Sequence, residues 1–229
     1  MKTDPFAVKK YPKWHPLRLA FTAKARIIEQ KARWNFQKYA LPEKIIPNLP
    51  PAPDADYSNT AVTPVQMQHL LYALSATEHL RDTVVVEVGS YRGVTTQVLA
   101  SATSHKVIAV DPYIGYGGSD EDYRHFQSNI AGLPNVIHER VTSGEAVRTW
   151  KHEPISLVFI DAVHDYVNTA FDIEAWSSLM VKDGILAMHD TDQYCFAGTR
   201  KAVFEACHKA EPFAHPSNLT LLLLIKKTT

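Results

Sequence analysis

The spacing of apolar positions changes along the chain and divides it. Leu17, Phe21, Ala25, Ile28, Ala32 and Tyr39 recur at helical spacing, with Lys24, Arg26, Lys31, Arg33 and Lys38 among them. This predicts a basic amphipathic helix over Leu17–Tyr39, with Trp34 and Phe36 as further aromatics. Prolines then crowd Pro42 to Pro53, which reads as an extended connector. A helix start follows: Thr63 caps, Pro64 suits the first helical position, and Gln66 completes a capping box. That helix is expected to run to about Leu80.

Beyond Leu80 two periods alternate. Val84–Val88, Lys106–Val110, Val136–Val141, Ser156–Ile160, Gly184–Met188 and Leu219–Ile225 read as strands, the fifth preceded by a Lys182-Asp183-Gly184 turn. Gly93–Ala102, Asp122–Ile130, Gly144–Trp150, Asp165–Met180 and Thr199–His208 read as helices between them. Such alternation predicts an α/β fold, a parallel sheet covered on both faces. Right-handed crossovers put the strand carboxyl ends on one rim, and ligands bind there.

Composition narrows the class. The chain has 229 residues, 45% apolar and 21% charged, which fits one large domain or a domain with an appendage and excludes disordered or low-complexity chains. The division falls at residue 60, with an extension and connector over 1–60 and the main domain over 61–229. The longest apolar run, Leu221–Ile225, is far below the roughly 20 residues of a membrane span. Two cysteines, Cys195 and Cys207, form neither a metal nor a redox spacing, and no secretory signal is visible, so a reducing, cytoplasmic setting is expected. The net charge of zero hides an asymmetry. Residues 1–50 hold eight Lys and three Arg against Asp4, Glu29 and Glu43, a net +8, and the rest of the chain is −8. Such an arm could bind anionic partners, lie on a membrane surface, or fold onto its own body, a second subunit or the active site.

The chemistry stands after the strands. Glu87-Val88-Gly89-Ser90-Tyr91-Arg92-Gly93 is a glycine turn, but Tyr91 occupies the place where a dinucleotide site needs its second glycine. Asp111, 22 residues beyond Gly89, can accept both hydroxyls of a ribose. Asp161 and the His189–Asp190 pair end the fourth and fifth strands, and if these are neighbours the three side chains converge on a place for a divalent cation. His164 lies one turn from Asp161 and can serve as a base.

Together these stretches, with Val110-Asp111-Pro112-Tyr113, Ile160-Asp161-Ala162-Val163-His164-Asp165-Tyr166 and Lys182 to Asp190, resemble class I S-adenosylmethionine (SAM)-dependent methyltransferases. The nearest branch is that of macrolide-sugar O-methyltransferases and cephalosporin-hydroxylase-like proteins, over residues 63–227. The resemblance implies a Rossmann-like, doubly wound, mostly parallel seven-stranded sheet with an antiparallel last strand. It implies that Glu87, Gly89, Ser90 and Gly93 line the methionine and ribose end of SAM, that Asp111 holds the ribose and that Ser143 sits near the adenine. Asp161 and Asp190 match metal-binding carboxylates, for Mg²⁺ or another divalent cation, and His164 matches the general base beside Asp161. One position departs: several metal-dependent members have an acidic residue immediately before the Asp190 position, where this chain has His189. Imidazole is a poor Mg²⁺ ligand.

The leading expectation is O-methylation of a hydroxyl on a small acceptor, a sugar, polyol or natural product, assisted by the cation. A metal-independent methyltransferase acting on a phenol, an amine or RNA is the second. A non-catalytic cofactor-binding or assembly module, its arm on nucleic acid or membrane, is the third. The body shows no basic stripe or nucleic-acid module, which argues against nucleic acid. The acceptor pocket is expected among the arm, Tyr113–Glu121 and Gln193–Gly198, with Tyr116, Tyr194 and Phe196 as a candidate aromatic wall. Trp14 and Trp34 on the arm favour a homodimer or a lid.

Overall fold

The computed structural model describes residues 4–41, 45–115, 118–207, 210–214 and 222–226. Strands β1 (Val84–Val88), β2 (Lys106–Val110), β3 (Val136–Glu139), β4 (Ile155–Ile160), β5 (Met180–Met188), β6 (Ala210–Ala214) and β7 (Leu222–Lys226) form one sheet in the order β3-β2-β1-β4-β5-β7-β6. The first five pair in parallel and β7 runs antiparallel to both β5 and β6. The Rossmann-like, mostly parallel architecture expected from the sequence is present.

Helices α2 (Pro64–Thr77), α3 (Val94–Ser101), α4 (Asp120–Asn129), α5 (Ser143–Arg148), α6 (Tyr166–Ser177) and α7 (Ala197–Ala206) connect or cover the strands. The valine run of β1 is buried throughout, yet it still alternates. Val84, Val86 and Val88 pack with Val158, Ile160, Phe171 and the fully buried Trp176 on one side of the sheet. Val85 packs with Leu157, Phe159, Met67, Leu70 and Leu99 on the other. Both faces are thus closed by helices, as a continuous apolar strand requires.

The extension is docked on the body. Helix α1 (Pro16–Trp34) packs on α6 and α7. Its Glu29 carboxylate accepts from the backbone N–H of Tyr166 at 2.7 Å and of Gly198 at 3.1 Å, so one side chain caps two helices. A Cβ at Gly198 would collide with that carboxylate. Ahead of α1, a 3₁₀ turn over Pro5–Lys10 packs against α5 and α6. The connector lies along α2, where Gln68 donates to the Pro50 carbonyl at 2.7 Å and Ile46 is buried.

Some boundaries differ from the sequence reading. The first helix stops at Trp34, and a 3₁₀ turn over Phe36–Lys38 follows. Lys182-Asp183-Gly184 is not a turn before a strand but a bulge inside β5: Ile155 pairs with Met180 and Leu157 with Ile185, so β5 gains extra residues there, and Asp183 takes φ +65°. Strand β6 was not expected from its residues, because Pro212 breaks the pattern. Among the described residues it pairs only with β7, and a proline is tolerated on such an edge. His208 and residues 219–221 lie outside the described residues.

Candidate active site

Strand order reverses between β1 and β4, so their crossovers diverge and leave a crevice at the carboxyl rim. The rim residues are tied to neighbouring strand ends. Gly89 N–H donates to the Val110 carbonyl at 2.9 Å, Asp161 N–H to Val88 at 2.9 Å, and His189 N–H to Ile160 at 3.1 Å. Gly89 has φ +93°, and a Cβ there would collide with the Asp161 carbonyl. Only glycine lets the β1 turn pass this close to β4.

A cavity of about 520 Å³ occupies the crevice. Glu87, Gly89, Ser90, Gly93, Asp111, Ser143, Asp161 and His164 all line it. So do Asp4, Phe6, Asn59 and Thr60, which sequence reasoning did not single out. Asp4 caps the first 3₁₀ turn through Phe6 N–H at 2.8 Å and lies 3.4 Å from the Thr142 hydroxyl, which donates to it. Asn59 accepts from Arg92, and the Thr60 hydroxyl lies 3.4 Å from that of Thr95. These four belong to segments remote in sequence, and none carries a motif.

One end of the cavity is built on neutral donors. Both oxygens of Asp111 are held by peptide N–H groups, Tyr91 at 3.1 Å and Tyr113 at 2.9 Å. Tyr91 and Tyr113 take φ +45° and +48°, conformations that ordinary side chains rarely adopt, in order to aim those groups. Burial raises the Asp111 carboxyl above its usual range despite these bonds. Glu87 is buried on β1 and accepts from Thr96, and burial pushes its carboxyl up to about 8, with Asp161 and Asp111 adding to the rise. Ser143 donates to Asp172 and accepts from the Trp176 indole at 2.9 Å. Asp172 also lines the cavity, and burial lifts it to about 7.

The other end is ionic. His164 Nε2 lies 3.1 Å from Asp161 Oδ1 and 3.3 Å from Asp190 Oδ2, and His189 Nδ1 lies 3.1 Å and 3.4 Å from the same two atoms. The four donor atoms all fall within 4.8 Å of one another. Asp190 takes φ +54° to bring its carboxylate in. His189 Nε2 lies 3.3 Å from Gln66 Oε1, the same oxygen that accepts Thr63 N–H in the α2 capping box. An N–H at Nε2 leaves the Nδ1 lone pair of neutral His189 facing two carboxylate oxygens, and that buried nitrogen finds no well-formed hydrogen bond. In that neutral form three acceptors face one another, and either a proton on Nδ1 or a metal cation among them resolves the arrangement. Burial works to raise Asp161 and to lower His189, but their attraction prevails: Asp161 is held far below the carboxylate range and His189 is pushed up to about 10. Donors about 2.0–2.2 Å from one ion sit roughly 3 Å apart, so the spacing suits a metal.

The expected aromatic wall is divided. Phe196 packs against the His164 ring, with centroids 4.7 Å apart, whereas Tyr194 meets Phe36 of the extension at 5.5 Å and is exposed. Tyr116 lies outside the described residues.

Residues 86–191 match the family model of a methyltransferase domain. No curated protein matches the chain in sequence. Among solved structures, the chain is similar to the O-methyltransferase TomG from Streptomyces achromogenes, involved in tomaymycin synthesis and in complex with SAM, with 15% identity over 88% of this chain and 90% of that one and a TM-score of 0.56. An O-methyltransferase from Bacillus cereus in complex with SAH gives 15% identity, 87% and 90% coverage and a TM-score of 0.55. An rRNA methylase from Streptococcus thermophilus gives 19% identity, 74% and 99% coverage and a TM-score of 0.53. At these identities the structures establish a shared fold. No helix among the described residues is long and apolar enough to cross a membrane.

Proposed function

We propose that residues 86–191, which match the model of a methyltransferase domain, use SAM as class I enzymes do, and that the protein moves the methyl group of SAM to a hydroxyl oxygen of a small molecule, a sugar, polyol or natural product, with a divalent cation beside the acceptor. The observation that carries this reading is the ionic cluster at the β4–β5 end of the cavity, next to the glycine turn that would receive the methionine end of SAM. SAM supplies an already activated methyl group, so the protein has two tasks: alignment of the acceptor and removal of its proton.

Asp111 would take the ribose hydroxyls, with its oxygens already aimed by Tyr91 and Tyr113. Glu87, Ser90 and the turn at Gly89 and Gly93 would line the methionine and ribose end, and Ser143 the adenine end. Asp161, His189 and Asp190 would hold the cation, which when bound lowers the pKa of an acceptor hydroxyl. His164 lines the cavity where the more deeply buried His189 does not, which suits it to take the acceptor proton. One imidazole with two carboxylates favours Mn²⁺, Fe²⁺ or Zn²⁺ over Mg²⁺, whose preferred ligands are all oxygen. An amine or RNA base has less need of such a site.

Calorimetry on the purified chain with Mn²⁺, Zn²⁺ and Mg²⁺ tests the cation. Mn²⁺ or Zn²⁺ is expected to bind more tightly than Mg²⁺, and Asp161→Asn to weaken that binding about 10–100-fold while SAM affinity changes little. No saturable metal binding by the parent chain would move the reading to base catalysis by His164 alone.

A further inference from the structure

We propose that the outward face of α1 is a docking surface for an anionic lipid bilayer. The helix has two apolar faces, and the body uses one. Phe21, Ala25, Ile28 and Ala32 turn toward α6 and α7. Leu19, Ala23, Ile27 and Trp34 lie on the opposite side and are exposed, Leu19 at 54%, Ile27 at 56% and Trp34 at 73%. At 3.6 residues per turn these four form one stripe along the helix, with exposed Gln30 as its one polar member between Ile27 and Trp34.

Basic side chains frame the stripe. Lys24 and Lys31 follow one edge and Arg26 and Arg33 the other, all exposed. No exposed position of α1 is acidic, and Glu29, its one carboxylate, is consumed in capping α6 and α7. Exposed Trp14 stands just before the helix. A helix lying flat in a lipid interface needs this arrangement: an apolar stripe in the acyl boundary, long cations on both edges reaching phosphate groups, and indoles at headgroup depth.

A second copy of the chain fits less well. Pairing the stripe with itself would press the lysine and arginine rows together with no carboxylate to meet them. Anionic headgroups complement both rows, and residues 1–50 carry the net +8 that would draw the chain to such a surface.

The test is co-sedimentation of the full chain with vesicles of phosphatidylcholine alone and of phosphatidylcholine mixed with phosphatidylglycerol, with tryptophan fluorescence read in parallel. The chain is expected to pellet with the mixed vesicles, to shift its emission to the blue, and to release as salt is raised. The double variant Ile27→Glu/Trp34→Glu is expected to lower partition at least about 10-fold. Both side chains are exposed, so its melting temperature should match the parent's. Lys24→Glu/Lys31→Glu reads the charge term separately, with the apolar stripe intact. Absence of binding to the mixed vesicles, or binding by both double variants equal to the parent's, overturns the proposal. Light scattering that finds a parent dimer split by Ile27→Glu/Trp34→Glu overturns it too and assigns the face to a second copy.

Discussion

Asp111 and Asp161 end strands two places apart on the same sheet and face the same cavity, yet their surroundings push them in opposite directions. Asp111 is held by two peptide N–H groups, and burial leaves its carboxyl raised. Asp161 meets two imidazoles and a second carboxylate, and its carboxyl is held far down against the same burial. Neutral donors orient a carboxylate without cancelling its appetite for hydrogen bonds, which suits the hydroxyls of a ribose. Imidazoles and a paired carboxylate make a place where positive charge is favoured, which suits a cation and an acceptor about to lose a proton. One residue type at equivalent positions in the fold is thus suited to the two different tasks proposed for it, and the difference lies in what the next strand brings beside it.

The hardest blow to this arrangement falls where both ends meet. Gly89→Ala adds a Cβ against the Asp161 carbonyl at φ +93°, so either the β1 turn or the start of the Asp161 loop must move. The expected cost is about 3 kcal/mol or more of folding stability, read by denaturant unfolding, with SAM binding and metal binding lost together. A variant that loses only one of the two would separate regions that the structure joins.

Asp111→Ala comes next and should separate them cleanly. It removes the proposed ribose acceptor and leaves Tyr91 and Tyr113 N–H without their partner, so SAM affinity is expected to fall about 30–100-fold in calorimetry. Metal affinity should stay within about twofold, because the cluster shares none of those bonds. Set beside Asp161→Asn, this is a double dissociation: each substitution disables one end only. Equal loss of both ligands in either variant would mean that the two carboxylates belong to one coupled network.

Much of this was legible in the residues. The β-branched run of β1, the glycine turn, and the acidic residues after the second, fourth and fifth strands place the rim, because strand ends in a parallel sheet share an edge. The sequence could not show that β4 and β5 are neighbours, so convergence of Asp161 with His189 and Asp190 was conditional until the register was known. Asp4, Phe6, Asn59 and Thr60 were missed because they reach the cavity from an arm and a connector whose path over the body is set by packing. Glu29 capping two helices at once is the clearest instance of such a contact. Gln66 was found as a capping residue, but its hold on His189 needed the fold. The bulge at Asp183 looked like a turn because its residues favour one, and only pairing with β4 shows the strand continuing through it.

The mildest expected effect concerns Glu87, which stands behind both ends. Burial lifts its carboxyl to about 8 from an ordinary 4.5, and Asp161 and Asp111 push it the same way. The folded chain therefore keeps a proton that the unfolded chain has released over most of that range. Stability from this group is complete below about pH 4.5, declines as pH rises, and is gone above about 8, with a slope of at most about 1.4 kcal/mol per pH unit. Glu87→Gln removes that ionisation. Its melting temperature should match the parent's near pH 5 and exceed it above pH 8, by an amount equivalent to about 1–2 kcal/mol after relaxation around the buried charge. Asp172, raised to about 7 by burial, contributes a slope of the same sign and persists in the variant, so the pH dependence should shrink without vanishing. Parallel melting profiles for parent and variant across pH 5 to 9 would show that Glu87 is already ionised at pH 5, and that a cation or solvent reaches it from the Asp161 side of the cavity.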